Sequence, residues 1–384
     1  MATVASSPRQ QTRHIDSLDG VRGIAILLVL SMHGGWFDNG WIGVDLFFVL
    51  SGFLITGILR RTRSEPFYWR RFYIKRATRI LPPLLFGIAA TALLWPHQSP
   101  IAIAGYVLSL GNVVDMTRFA IYPLVHLWSL SVEEHYYLLW PFVVLWLPRR
   151  QLQWVLIAIV TTVPLGRLVF TYLLPRHEPY AIYLLTPFRI DGIALGSLLA
   201  LLLEQRPWQE RLRKCSAAGV VVACAAYLGL RAILGHGHFS PYVYSPIFNS
   251  IGYSLVALIA FFLIAYACLR TDAIPTRILR NKLLTTLGAI SYGLYVYSWI
   301  VLVLIRRIYP SLSDLQAGLI HIAIAVPLSA VLFKYCERPI TNWGRRVAAQ
   351  LAAKGDVATK DKALDPQRHA VEVEARQRTG IVVT

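Results

Sequence analysis

The sequence predicts an all-α polytopic integral membrane protein, a helical bundle of about ten transmembrane helices plus one short re-entrant or interfacial segment. Three observations predict it. Of the 384 residues, 56% are apolar and only 15% charged, whereas soluble domains carry roughly a quarter charged residues. Apolar runs follow one another along the chain, and several, among them Ala217 to Leu234, Ile247 to Leu269 and Leu283 to Ile305, approach or reach the roughly 20 residues that span a bilayer. The basic residues fall in short clusters between these runs, as they do in cytoplasmic loops.

The runs are 21–36, 41–59, 80–96, 101–113, 124–147, 154–174, 180–203, 216–234, 247–269, 283–305 and 313–333. Basic clusters stand at Arg9/Arg13, Arg60 through Arg79, Arg149/Arg150, Arg206 through Lys214, Arg270 through Lys282 and Lys334 through Arg346. They alternate to one side only if 101–113 does not cross. At about 1.5 Å per residue that run reaches about 20 Å against a roughly 30 Å core. Ten crossings follow, with both termini cytoplasmic and with Arg306 and Arg307 as the one misfit. Trp36, Trp41, Trp95, Trp154, Tyr180 and Trp343 fit interfacial belts at the predicted borders. Residues 15–347 form the expected transmembrane domain. Residues 1–14 and the polar, mixed-charge stretch 348–384 are expected as flexible cytoplasmic ends. No small-residue cleavage site follows the first apolar run, so no removable signal peptide is expected.

The net charge of +18 raises nucleic acid as a partner, but its placement in inter-span clusters points to topology instead, and no nucleic-acid binding is expected. The four cysteines, Cys215, Cys224, Cys268 and Cys336, show neither a CxxC nor a metal-ligand spacing. They read as packing residues, and no metal site is expected.

An ionisable group inside a span is costly unless it faces a partner or a wet cavity. Here His33, Asp45, Glu133, Glu134, Arg167, Arg189, Asp191 and His321 all fall within runs. For any one of them, a structural pair joining two helices is the alternative to a functional site. On the first helix, Arg22 and His33 are eleven residues apart, and eleven steps of about 100° return within roughly 20° of the same face, about 16 Å along the axis. Imidazole titrates nearest neutrality of all side chains, which suits a general base that takes a proton from an alcohol. A hydrogen-bonded packing histidine is the competing reading. The second helix runs back from Trp41, bringing Asp45 to a similar depth, where a carboxylate could fix the tautomer of His33. Arg76 and Arg79, three residues apart, share a helix face, and guanidinium forks suit phosphate. A phosphorylated donor such as coenzyme A fits there, as do positive-inside topology and anionic lipid. Adjacent helical residues diverge by about 100°, so only one of Glu133 and Glu134 can squarely face a given site, and Arg189 and Asp191, two apart, do not face each other.

Together these segments resemble the membrane-bound acyltransferase 3 family. The resemblance rests on Leu18 to Gly23 with His33, Gly43 to Ile55, Phe72 to Pro82, His126 to Pro141, Arg189 to Gly192, Ser291 to Tyr295 and Glu337-Arg338-Pro339, in that order over 15–340. It implies that Arg22 and His33 are the essential first-helix pair, Arg76 and Arg79 the cytoplasmic arginine motif, and Glu133 the carboxylate of the Trp-Ser-Leu segment. Two positions depart from the pattern: Ser298 stands where the family often has His, and His135 where Gln is common. The appended hydrolase-like domain of the larger members is not expected here.

The expectation is therefore a membrane O-acyltransferase in a bacterial cytoplasmic (inner) membrane. His33, Glu133 and Asp45 are its expected catalytic groups, His33 either as the base towards the acceptor hydroxyl or as the group that takes the acyl itself before passing it on, and Arg22, Arg76 and Arg79 are its donor-binding groups. Acyl-CoA, most simply acetyl-CoA, is the expected donor substrate, with no tightly bound cofactor. The acceptor is a hydroxyl of a cell-surface glycan, a lipid-linked sugar or a small molecule. A proton-coupled transporter or flippase for an anionic or acylated solute is the rival reading. The oligomeric state is not fixed by the sequence.

Overall fold

The computed structural model describes residues 15–173, 178–235, 241 and 243–355. Helices α1 (Asp16–His33) and α2 (Ile42–Thr62) are joined by a 3₁₀ turn, Asp38–Trp41. The long α3 (Tyr68–Leu94) is followed by the short α4 (Pro100–Val107) and α5 (Gly111–Val114), a 3₁₀ turn (Tyr122–Leu127) and α6 (Trp128–Trp146). Then come α7 (Arg149–Leu173), α8 (Glu178–Leu184), a 3₁₀ turn (Thr186–Phe188) and α9 (Ile190–Leu202). The chain continues through α10 (Arg206–Leu234), α11 (Tyr253–Leu269), α12 (Ile274–Leu279), α13 (Lys282–Ile308) and α14 (Asp314–Leu332). A π turn, Phe333–Glu337, carries α14 onward as one helix to Gly355. The described residues contain no strand. The expected N-terminal extension, 1–14, and residues 356–384 lie outside the described residues, whereas 348–355, expected to be flexible, continue the helix.

Among the described residues seven helices are long and apolar enough to cross a membrane, against the ten expected. The expected crossings outside that set fall on α1, α6 and α9. Helix α9 has only 13 residues, while α1 and α6 carry the polar groups Asp19, Arg22 and His33, and Glu133, Glu134 and His135. The apolar run 180–203 is not one helix. It breaks at Thr186-Pro187, where proline lacks the N–H that would continue the ladder. Run 101–113 is split between α4, of 8 residues, and α5, of 4, at Ser109 with φ 59°, and neither piece is long enough to cross.

Helix α13 is the enclosed strut of the bundle: 72% of its apolar window is buried, against 17% for α7 and for α10 at the periphery. Small residues bring the helix backbones together, as membrane helices require when lipid offers no hydrophobic drive. A Cβ on Gly23 would strike the Leu284 carbonyl, and one on Gly288 the Asp19 carbonyl, so α1 lies directly on α13. Gly52 and Gly196 do the same between α2 and α9.

The loops sort by charge. Arg60 bonds both oxygens of Glu204 at 3.1 and 3.2 Å, Arg149 stands 3.7 Å from the same carboxylate, and Arg270 donates to the Arg213 carbonyl at 2.9 Å. The basic loops around 60, 149, 206–214 and 270 therefore gather at one end. The misfits Arg306 and Arg307 are accounted for at the other: Arg306 pairs with Asp314, and Arg307 donates at 2.8 Å to the carbonyl of Leu94, the last residue of α3. A cation at a helix C-terminus satisfies an orphan carbonyl and the helix dipole together.

Two buried ion pairs stitch α2, α7, α9 and α11. Arg167 donates to both oxygens of Asp191, at 3.0 and 2.9 Å, and also to the Phe188 and Ser250 carbonyls. Arg189 Nη2 donates to both oxygens of Asp45, at 2.9 and 3.0 Å, inside a cage of Tyr253, Tyr183, Phe48 and Trp128. As the spacing requires, Arg189 and Asp191 do not pair with each other. Removing one member leaves an uncompensated charge, so Asp191→Ala is expected to destabilise the fold by about 3–5 kcal/mol. The double replacement Arg167→Met/Asp191→Leu is expected to recover most of that. Thermal unfolding in detergent measures both, and equal losses in the single and double variants would contradict the pairing.

Candidate active site

Between α1, α2, α3, α6 and α13 lies a cavity lined among others by Arg22, Ser51, Arg76, Arg79, Glu133, Tyr137, Tyr292 and Tyr295. Each wall follows from local sequence. Arg22 lies between Gly20 and Gly23, the positions that press α1 onto its neighbours, so close packing fixes its side chain at the cavity wall. Arg76 and Arg79, one turn apart on α3, share the inward face. Glu133 enters from α6, and its helix neighbour Glu134 is not part of the lining.

The electrostatics are asymmetric. Three guanidinium groups line the cavity with one carboxylate. Glu133 is held by neutral hydroxyls: Ser51 donates to Oε1 at 2.9 Å and Tyr137 to Oε2 at 2.7 Å. Arg22 reaches Asp19 at 3.4 Å. Among the described residues neither Arg76 nor Arg79 stands within ion-pair distance of a carboxylate. Arg76 instead lies over the rings of Tyr137 and Phe72, at 5.0 and 5.9 Å. A surplus of forked donors around one cavity, with too few internal anions to occupy them, suits an anionic ligand.

His33 does not line this cavity. It sits at the far end of α1, 8% exposed, under the ring of Trp299 at 4.8 Å and within 6.3 and 6.4 Å of the His126 and His321 rings. Ser298 Oγ stands 3.4 Å from its Nδ1. The two ends are linked through α13 and α6: Tyr295 lines the cavity one turn before Ser298, bonds Ser129 at 2.7 Å and donates to the His126 carbonyl at 2.7 Å. His126 Nε2 is in turn 3.0 Å from the Val296 carbonyl. A polar seam thus runs from the arginine end to the imidazole end, with His33 beyond the last lining residue.

Asp45 is a correction. The depth argument aimed it at His33, but both its oxygens are taken by Arg189, a partner from the start of α9 that equal depth on adjacent helices could not disclose. Its place beside His33 is filled by Ser298, the position where the sequence departs from its family pattern. His135, the other departure, bonds Thr186 at 2.7 Å and braces the break before α9. Charge patterning does not single out Ser51, Tyr137, Tyr292 and Tyr295, because hydroxyl residues in apolar runs carry no charge signal, although all four lie inside the segments that carry the family resemblance. The spacing of Glu133 and Tyr137, four apart on α6, is a further cue.

Over residues 15–334 the chain matches the family described as the acyltransferase domain. It is 27% identical over 373 residues to the O-acetyltransferase OatA of Staphylococcus aureus, a match covering 89% of this chain and 60% of that protein. It is 27% identical over 361 residues to the peptidoglycan O-acetyltransferase OatA of Listeria monocytogenes, covering 88% and 57% respectively. The chain therefore spans less than two thirds of the length of these relatives. No solved structure matches. With a family match over most of its length and an all-helical fold of apolar, bilayer-length spans, the chain is an integral membrane protein that belongs to the acyltransferase domain family.

Proposed function

We propose that the protein moves an acyl group, most simply acetyl, from acyl-coenzyme A to a hydroxyl of a cell-surface glycan or related acceptor. The observation that carries this reading is the cavity with three arginines and a single carboxylate held by hydroxyls, set on the same face of α1 as His33. Coenzyme A is a polyphosphate with a long neutral arm ending in a thiol. Arg76, Arg79 and Arg22 suit its phosphates, and the arm has the length to follow the seam towards His33. The names of the two relatives, an O-acetyltransferase and a peptidoglycan O-acetyltransferase, support acetyl as the group and a glycan as the acceptor.

In this reading His33 takes the proton of the acceptor hydroxyl as its oxygen attacks the thioester carbonyl, and the thiolate of coenzyme A leaves and is protonated from the imidazolium. Ser298, at hydrogen-bond range of Nδ1, orients the ring. Glu133 holds Ser51 and Tyr137 in place around the donor. The basic end of the bundle faces the cytoplasm, where coenzyme A is found, with both chain termini on that side of a bacterial inner membrane.

The test is acetyl transfer from labelled acetyl-coenzyme A in membranes containing the protein. Losing one charge-assisted contact to phosphate is worth about 1.5–3 kcal/mol, so Arg76→Gln and Arg79→Gln should each raise KM for acetyl-coenzyme A roughly 10- to 100-fold. The same substitutions should leave KM for acetyl-pantetheine, which lacks those phosphates, unchanged. Equal effects on the two donors would contradict phosphate binding there. His33→Ala should lower kcat by about 10²–10⁴ with the donor KM preserved, as expected on removing a general base. A variant that retains full kcat would remove His33 from the chemistry.

A further inference from the structure

His321 has no role in the donor cavity, yet it is the most unusual buried group in the bundle. It is 0% exposed, and neither Nδ1 nor Nε2 has a hydrogen-bond partner. Leaving a buried polar atom unpaired costs about 1–3 kcal/mol, and here both ring nitrogens are in that position. The face of α14 that carries it is otherwise small: Ala317, Gly318, Ala325 and Ser329 are its other buried residues. That face brings α14 close. A Cβ on Gly318 would meet the backbone of Gly34 and the ring of Trp36, just past the end of α1. One turn later the same face delivers His321 to His33, with ring centres 6.4 Å apart. No hydrogen bond joins the two rings, since His321 makes none.

We propose that His321 is the second imidazole of the acceptor site, holding the reacting hydroxyl between itself and His33. The proposal rests on the reading of His33 as the base and deepens it by naming what grips the acceptor. One oxygen hydrogen-bonded to two ring nitrogens spans at most about 5.6 Å between them, from two contacts of about 2.8 Å. Rings with centres 6.4 Å apart are too distant for a direct bond and suited to one shared oxygen. The division of labour follows from donor and acceptor capacity. A neutral imidazole has one N–H and one lone pair. The hydroxyl proton is directed at the lone pair of His33, and the hydroxyl oxygen accepts the N–H of His321. Neighbouring groups are partly engaged: His126 Nε2 is held by the Val296 carbonyl while its Nδ1 is unpaired, and Trp299 Nε1 donates to the Tyr122 carbonyl at 3.1 Å, so among the described residues His321 is the one histidine beside His33 with both ring nitrogens unpaired. The rings of Trp299 and His126 stand 4.8 and 6.3 Å from that of His33. The acceptor is therefore an alcohol presented singly, as a sugar hydroxyl is, and not a charged amine, which would meet no carboxylate among the groups named.

The experiment compares wild type, His321→Leu and His321→Gln by three measurements. These are acetyl-coenzyme A affinity by calorimetry on purified protein, thermal midpoint in detergent, and base-labile acetate in the envelope and secreted fraction of expressing cells, a readout that responds whichever alcohol is the acceptor. Expected for His321→Leu is a fall in ester of at least 10-fold, acetyl-coenzyme A affinity within about 2-fold of wild type, and a midpoint equal to or above wild type because an unpaired polar group has been removed. His321→Gln, which can still donate an N–H, recovers a substantial part of the ester. Undiminished ester in His321→Leu overturns the proposal. So does ester loss accompanied by a lowered midpoint without rescue by Gln, which marks a packing residue. Wild-type protein that forms ester but does not bind acetyl-coenzyme A overturns the donor reading alone, leaving His321 to be judged on the ester.

Discussion

A charge removed from water into a bilayer-thick bundle has to be paired or kept wet, and this constraint sorts the arginines of the interior. Arg167 and Arg189 are paired, each with one aspartate, and the network they form is neutral. Arg22, Arg76 and Arg79 are the wet class: they line a cavity with more cations than anions. The two classes differ in what they can do. A neutral network whose carboxylates are both taken by guanidinium groups holds helices together, whereas a cationic cavity has charge left over for a ligand.

The same division separates scaffold from site in space. The paired charges lie where α2, α7, α9 and α11 meet, and the cavity lies where α1, α2, α3, α6 and α13 meet, so α2 belongs to both. Asp45 and Ser51 mark the two sides of that helix: one anchors Arg189, the other steadies Glu133. The glycine contacts complete the arrangement, since backbone-to-backbone approach of α1 to α13 and of α2 to α9 leaves no slack for the site residues to drift. The polar seam through Ser129, Tyr295 and His126 spans the distance between the arginine and imidazole ends with hydroxyls and carbonyls instead of charges.

Hydropathy and the placement of basic clusters are enough to specify a polytopic helical bundle, and period arithmetic puts Arg22 and His33 on one face and shows that Arg189 and Asp191 cannot pair. These are properties of single helices, where the chain's own geometry dictates which side chains align. The hydropathy count runs to ten spans while seven helices among the described residues have the length and apolarity, because α1 and α6 carry polar site residues and α9 has only 13 residues.

Sequence by itself thus determined the class of protein, the one-dimensional order of its helices and the residues too costly to bury without reason. Only the tertiary structure decided who meets whom. It gave Asp45 to Arg189 instead of His33, chose Glu133 over Glu134 for the cavity, placed Ser298 against His33 and brought His321 from 288 residues along the chain to the far end of α1. The physical reason is that periodicity fixes rotation about one axis, while partnership between helices depends on crossing, tilt and depth, which are set by the backbone contacts of small residues far from the groups they bring together.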